Sequence, residues 1–103
     1  MTQVLAGADC TTMAEVRAGV DSLDREIVAL LRRRFDYMDA AARIKPARGA
    51  VRDEARKAQV IAQARAEAEA LDLPGMAVAA MWETLVEASI AYELDAFDRR
   101  PAD

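Results

Sequence analysis

The chain has 103 residues, a formal net charge of −4, no histidine and one cysteine. The acidic balance argues against a nucleic-acid surface, no apolar run reaches the roughly 20 residues that span a bilayer, and a lone Cys10 closes no internal disulfide. Without histidine the commonest general base and nearly every transition-metal site drop out, so no metal or cofactor is expected.

Hydrophobic residues make up 53% of the chain but aromatics only 5%, and four Gly with three Pro are too few for a turn-rich β protein. Ala, Leu, Glu and Arg dominate, which predicts an all-α fold. A single domain over 1–103 is expected, with 1–11 as a flexible N-terminal extension and 99–103 as a tail. Met1 to Ala8 lacks the basic flank of a signal peptide, so a cytoplasmic location is the default expectation.

The first helix is expected over about 12–45. Thr12 with Glu15 three residues on forms a capping-box pattern. Apolar positions recur at Val16, Val20, Leu23, Ile27 and Leu30, then at Tyr37, Ala41 and Ile44, in alternating steps of four and three. The pattern stops at Lys45-Pro46, because proline cannot continue a helix. About 33 helical residues at 1.5 Å each make roughly 50 Å. A compact domain of about 100 residues is only about 30–35 Å across. The stripe therefore calls for a second surface, most simply the same helix of a second copy.

The second helix is expected over about 51–71, with Asp53 and Glu54 suiting its positive end and an Ala- and Gln-rich interior. Asp72-Leu73-Pro74-Gly75 reads as a turn. The third helix is expected over about 76–98, with a stripe of Val78, Trp82, Leu85, Ser89, Tyr92 and Ala96. Arg99 and Arg100 suit its negative end. Trp82, Met38, Met76 and Met81 are expected in the core.

Several polar residues sit awkwardly in this pattern. Arg34 occupies the stripe position between Leu30 and Tyr37, and a guanidinium there is costly to bury unpaired. It pairs with an internal carboxylate, reaches solvent, or awaits an anionic ligand. Arg17 is a helix-surface arginine within reach of Asp21, and Lys45 complements the end of its helix. Asp53, Arg56 and Lys57 share the first turns of the second helix, where surface ion pairing is the simpler reading. Ser89 and Glu93 stand one turn apart on the third helix. Val86, Ile90 and Phe97 lie around Glu93 at helix-neighbour spacings, so its carboxyl is either desolvated or reaches water at a boundary.

An ordered set of segments gives these residues a common context. Asp9-Cys10-Thr11, Glu15-Val16-Arg17 with Asp21 and Leu23-Asp24, Arg33-Arg34 and Arg43-Ile44-Lys45 resemble the all-α chorismate mutase family. They look most like its branch of isochorismate-pyruvate lyases. Val51-Arg52-Asp53 followed by Arg56 resembles the mutase motif, and Ser89 with Glu93 matches the spacing of the polar pair on the third helix. The resemblance covers residues 9–98.

The resemblance implies an intertwined homodimer of three-helix chains. It also implies a cage for a dianionic substrate. Arg17 would reach the partner subunit's site, Arg34 would bind the enolpyruvyl carboxylate, and Lys45 would contact a carboxylate and the ether oxygen. Arg56 would hold the ring carboxylate with Ser89 assisting, Asp53 would contact the ring hydroxyl, and Glu93 would address the ether oxygen. Lys45, Glu93 and Arg34 would carry the catalysis. The activity implied is the rearrangement of chorismate to prephenate, which allows weak isochorismate-pyruvate lyase activity beside it. Lyase activity as the main role, and a non-catalytic helical dimer with a regulatory part, are the alternatives. Two departures stand out. Glu93 replaces a glutamine common in bacterial relatives and can donate a hydrogen bond only when protonated. Lys57 replaces a glutamate that mutases use toward the ring hydroxyl.

Overall fold

A computed structural model describes residues 3–101. The ends of the expected extension and tail, 1–2 and 102–103, lie outside the described residues. The helices are α1 (Met13–Ile44), α2 (Glu54–Ala70) and α3 (Gly75–Asp98), with short 3-10 turns at Gly7–Asp9 and Arg48–Ala50. Among the described residues there is no strand and no helix long and apolar enough to cross a membrane. The chain divides into two compact units, one up to Asp36 and one from Tyr37 onward.

In the first unit, the start of α1 is built by the capping box. Thr12 Oγ1 accepts from Glu15 N–H at 3.2 Å, and Glu15 Oε1 accepts from the N–H groups of Thr12 (3.0 Å) and Thr11 (2.9 Å). These bonds, led by that from the Thr11 backbone, hold the Glu15 carboxyl below its usual range. Ahead of the cap, the Gly7–Asp9 turn is closed by Asp9 N–H on Ala6 O at 2.9 Å. The stripe expected along α1 is exposed on the single chain: Leu23 is 58%, Ile27 52% and Leu30 55% accessible.

In the second unit, Pro46 ends α1, and α2 and α3 pack against each other as an antiparallel pair. The seam uses small residues, since Ala64 and Ala68 are the buried positions of α2. The core is a cluster of Val51, Val86 and Ile90, with Val60, Ile61, Trp82, Leu94 and Phe97 packed on it. Every stripe position of α3 from Val78 to Ala96 is buried or half-buried, as the spacing predicts. Met76 and Met81 are not core residues: they are 76% and 63% accessible, because they point away from the seam that the stripe defines.

Two helix ends refine the expected boundaries. Residues 51–53 precede α2 rather than belonging to it. Val51 turns into the core, while Asp53 is extended (φ −129°) so that its carboxylate can accept the Arg56 N–H at 3.0 Å. At the far end, Leu73 N–H returns to Ala68 O (2.9 Å) and Asp72 N–H to Glu69 O (3.1 Å). This is a Schellman closure with Asp72 in the left-handed region at φ 59°.

Candidate active site

The second unit brings together Lys45 and Glu93. Lys45 is the first residue beyond α1, and its N–H still reaches Ala41 O at 2.9 Å. Its ammonium donates to Glu93 Oε2 at 2.6 Å and lies 3.4 Å from Val51 O. It therefore answers a carboxylate on α3 rather than the end of its own helix. Glu93 is 4% accessible, so its carboxyl is desolvated and does not reach water at a boundary. A buried charge needs a partner and hydrogen bonds, and Lys45 supplies both.

Ser89 lies one turn before Glu93 on α3. It is also buried, and its hydroxyl donates to Leu85 O at 2.7 Å. Helix periodicity puts Ser89 and Glu93 on one face of α3. Tyr92, beside Glu93, donates to Asp39 Oδ2 at 2.9 Å and so ties α3 to the last turns of α1.

Asp53 and Arg56 meet through the backbone rather than as an ion pair: Asp53 Oδ1 caps α2 at the Arg56 N–H, and the Arg56 guanidinium donates to Gln59 Oε1 at 2.8 Å. Lys57, one residue on, turns to α3 and pairs with Glu83 Oε1 (2.7 Å) and Glu87 Oε2 (2.9 Å). These carboxylates, Glu83 first, raise the Lys57 pKa above its ordinary value. In the first unit, Arg17 is exposed and Arg34 is half-buried on α1.

Glu83 and Glu87 had no assigned role in the sequence, although their signal was there. Two acids at i and i+4 on α3 match cations Arg52 and Lys57 at the head of an antiparallel α2. Arg48, which forks onto Asp98 at 2.9 and 3.2 Å, was likewise unmarked.

A cavity of about 420 Å³ in the first unit is lined by Val4, Leu5, Val16, Val20 and Leu23, with Glu26 as its charge. Such walls suit an apolar occupant and offer no counter-charge to an anion. Among the described residues no group of three His, Cys, Asp or Glu side chains could hold a metal.

Known proteins agree with this architecture. The chain is 41% identical over 68 residues to the isochorismate pyruvate lyase of Pseudomonas aeruginosa, an alignment that covers 64% of this chain and 67% of that protein. The family model of chorismate mutase type II matches residues 16–94, a stretch that runs from the first turns of α1 to just past Glu93, and on that match the chain belongs to the chorismate mutase type II family.

Proposed function

We propose that this chain is a chorismate mutase that binds its dianionic substrate in an Arg/Lys cage and rearranges it to prephenate. The observation that carries the reading is the Lys45–Glu93 pair, a charged donor seated on a buried carboxylate at 2.6 Å. The reaction is intramolecular: a C–O bond breaks while a C–C bond forms, with no nucleophile and no redox change. Two contributions are needed from the protein. The enolpyruvyl arm must be held over the ring, and negative charge developing on the ether oxygen must meet a fixed donor.

In this reading Lys45 donates to the ether oxygen, and the Glu93 carboxylate that it sits on aims it there. Arg34 forks onto the enolpyruvyl carboxylate and Arg56 onto the ring carboxylate, with Ser89 beside it. One carboxylate oxygen of Asp53 serves the cap of α2, which leaves the other for the ring hydroxyl. Lys57 is engaged by Glu83 and Glu87, so hydroxyl recognition rests on Asp53.

The working unit in this proposal is a homodimer. The exposed apolar positions Val20, Leu23, Ile27 and Leu30 recur along one stripe of α1, as a helix that packs against a second copy would present them. Arg17 then enters the partner subunit's cage.

A second reading has its own support in the 41% identity to a protein named isochorismate pyruvate lyase. The same cage would then promote elimination of pyruvate from isochorismate, leaving salicylate. Incubating the purified chain with each substrate separates the two: prephenate from chorismate is expected. Salicylate and pyruvate from isochorismate, with chorismate untouched, would establish the lyase reading. Turnover of neither would sink both and leave a non-catalytic helical dimer.

A further inference from the structure

A helix leaves its last carbonyls without partners, and Pro46 brings no N–H to the chain that follows α1. The Lys45 carbonyl is met from far along the sequence: Arg100 Nη1 donates to it at 2.8 Å, across 55 residues. The neighbouring Arg99 shows the local alternative, since its guanidinium turns back on α3 to Asp95 at 2.8 Å. Arg100 crosses instead. Its guanidinium lies 4.3 Å above the Phe97 ring, and Phe97 packs on the cluster that contains Val51. Val51 O in turn lies 3.4 Å from the Lys45 ammonium. The contacts thus lead from the Lys45 carbonyl through Arg100 and Phe97 to the cluster that contains Val51, whose own carbonyl meets the Lys45 ammonium. The Arg48–Asp98 fork is a second tie between the same two stretches.

We propose that Arg100 is a positioning residue for Lys45: by holding the Lys45 carbonyl it sets the direction in which the side chain leaves the end of α1, and so seats the ammonium on Glu93. Lysine has a long side chain that loses much rotamer freedom when held in one place. At a helix end that frayed, the ammonium would sample many positions. The charge-assisted bond from Arg100 removes that freedom at its backbone origin. The kinetic consequence rests on the reading of Lys45 as the donor to the ether oxygen; the positional one does not.

The chain contains two lysines, Lys45 and Lys57, which makes the test direct. In protein labelled with ¹⁵N-lysine, both ammonium groups are expected as resolved, slowly exchanging signals. Arg100→Met keeps the alkyl stem over Phe97 and removes the donor. It is expected to broaden the Lys45 signal while Lys57, held by Glu83 and Glu87, stays unchanged. Should Arg100→Met not fold, Arg100→Gln, too short to reach across, gives the same readout. With chorismate as substrate, kcat of Arg100→Met is expected to fall about tenfold with a smaller change in KM, because misplacing a transition-state donor acts mainly on kcat. An unchanged Lys45 signal in the folded variant overturns the proposal whatever the turnover. Absence of turnover in the unaltered protein counts against the proposed activity, and the Lys45 signal still decides the role of Arg100.

Discussion

Arg52 forks onto the carboxylate of Glu87 at 3.0 and 2.9 Å, and Lys57 closes on the same carboxylate from 2.9 Å. Two cations at the head of α2 thus share one acid on α3, next to the cap that Asp53 makes. Arg52 first, then Lys57, hold the Glu87 carboxyl down to about 2 from an ordinary 4.5. A carboxylate held lower in the folded chain stabilises it fully above the unfolded value. That contribution is lost as pH falls toward the folded one. The melting temperature is therefore expected to drop between about pH 4.5 and 2. Glu87→Gln should flatten that limb when Tm is followed against pH. Asp98, lowered by Arg48, acts in the same direction.

The Lys45–Glu93 pair predicts an asymmetry between its two partners. Lys45→Met strands a carboxyl that is 4% accessible, at an expected cost of about 1–3 kcal/mol in urea unfolding. Glu93→Gln leaves an uncharged group that can still accept from Lys45, so it should cost less. Equal losses for the two variants would argue against this account of the pair.

Asp53 carries a structural duty and a proposed ligand duty that substitution can separate. Asp53→Ala loses the cap and is expected to cost about 1 kcal/mol, whereas Asp53→Ser keeps it and should stay within a few tenths. If the carboxylate also reads the ring hydroxyl, Asp53→Ser raises KM for the substrate despite its intact stability. An unchanged KM would leave Asp53 as a cap only.

The left-handed Asp72 gives a stabilising prediction. Glycine occupies that conformation without a Cβ penalty, so Asp72→Gly is expected to raise stability by about 0.5–1 kcal/mol. Chemical denaturation measures this directly, and a loss of stability would mean that the Asp72 side chain makes its own contribution to the turn.

The features legible in the sequence are the ones decided within a turn or two of chain. Thr12 and Glu15 could be read as a cap because both partners lie three residues apart. The α3 stripe from Val78 to Ala96 could be read because helical period and burial coincide there. The start of α2 was misplaced by three residues, since a local pattern does not reveal that Val51 is drawn into a core built by α3. The pairing of Lys45 with Glu93 spans 48 residues; the resemblance brought both to one site, but only the fold shows that they bond to each other. Arg100 reads in the sequence as a cation suited to the end of α3, and its reach to the Lys45 carbonyl appears only in the fold, because that partner lies on another element.

The alanines at the α2–α3 seam have a bearing on substrate size. Ala64 and Ala68, the buried positions of α2, are small residues that permit close approach of a packed helix, and Asp53 caps α2, which carries Arg56, while Ser89 and Glu93 ride on α3. The seam is a gauge as well as a contact. A larger residue at Ala68 would move the polar groups of one helix against those of the other without touching any of them, so in the proposed cage the spacing between the two sets is adjustable from a position outside it.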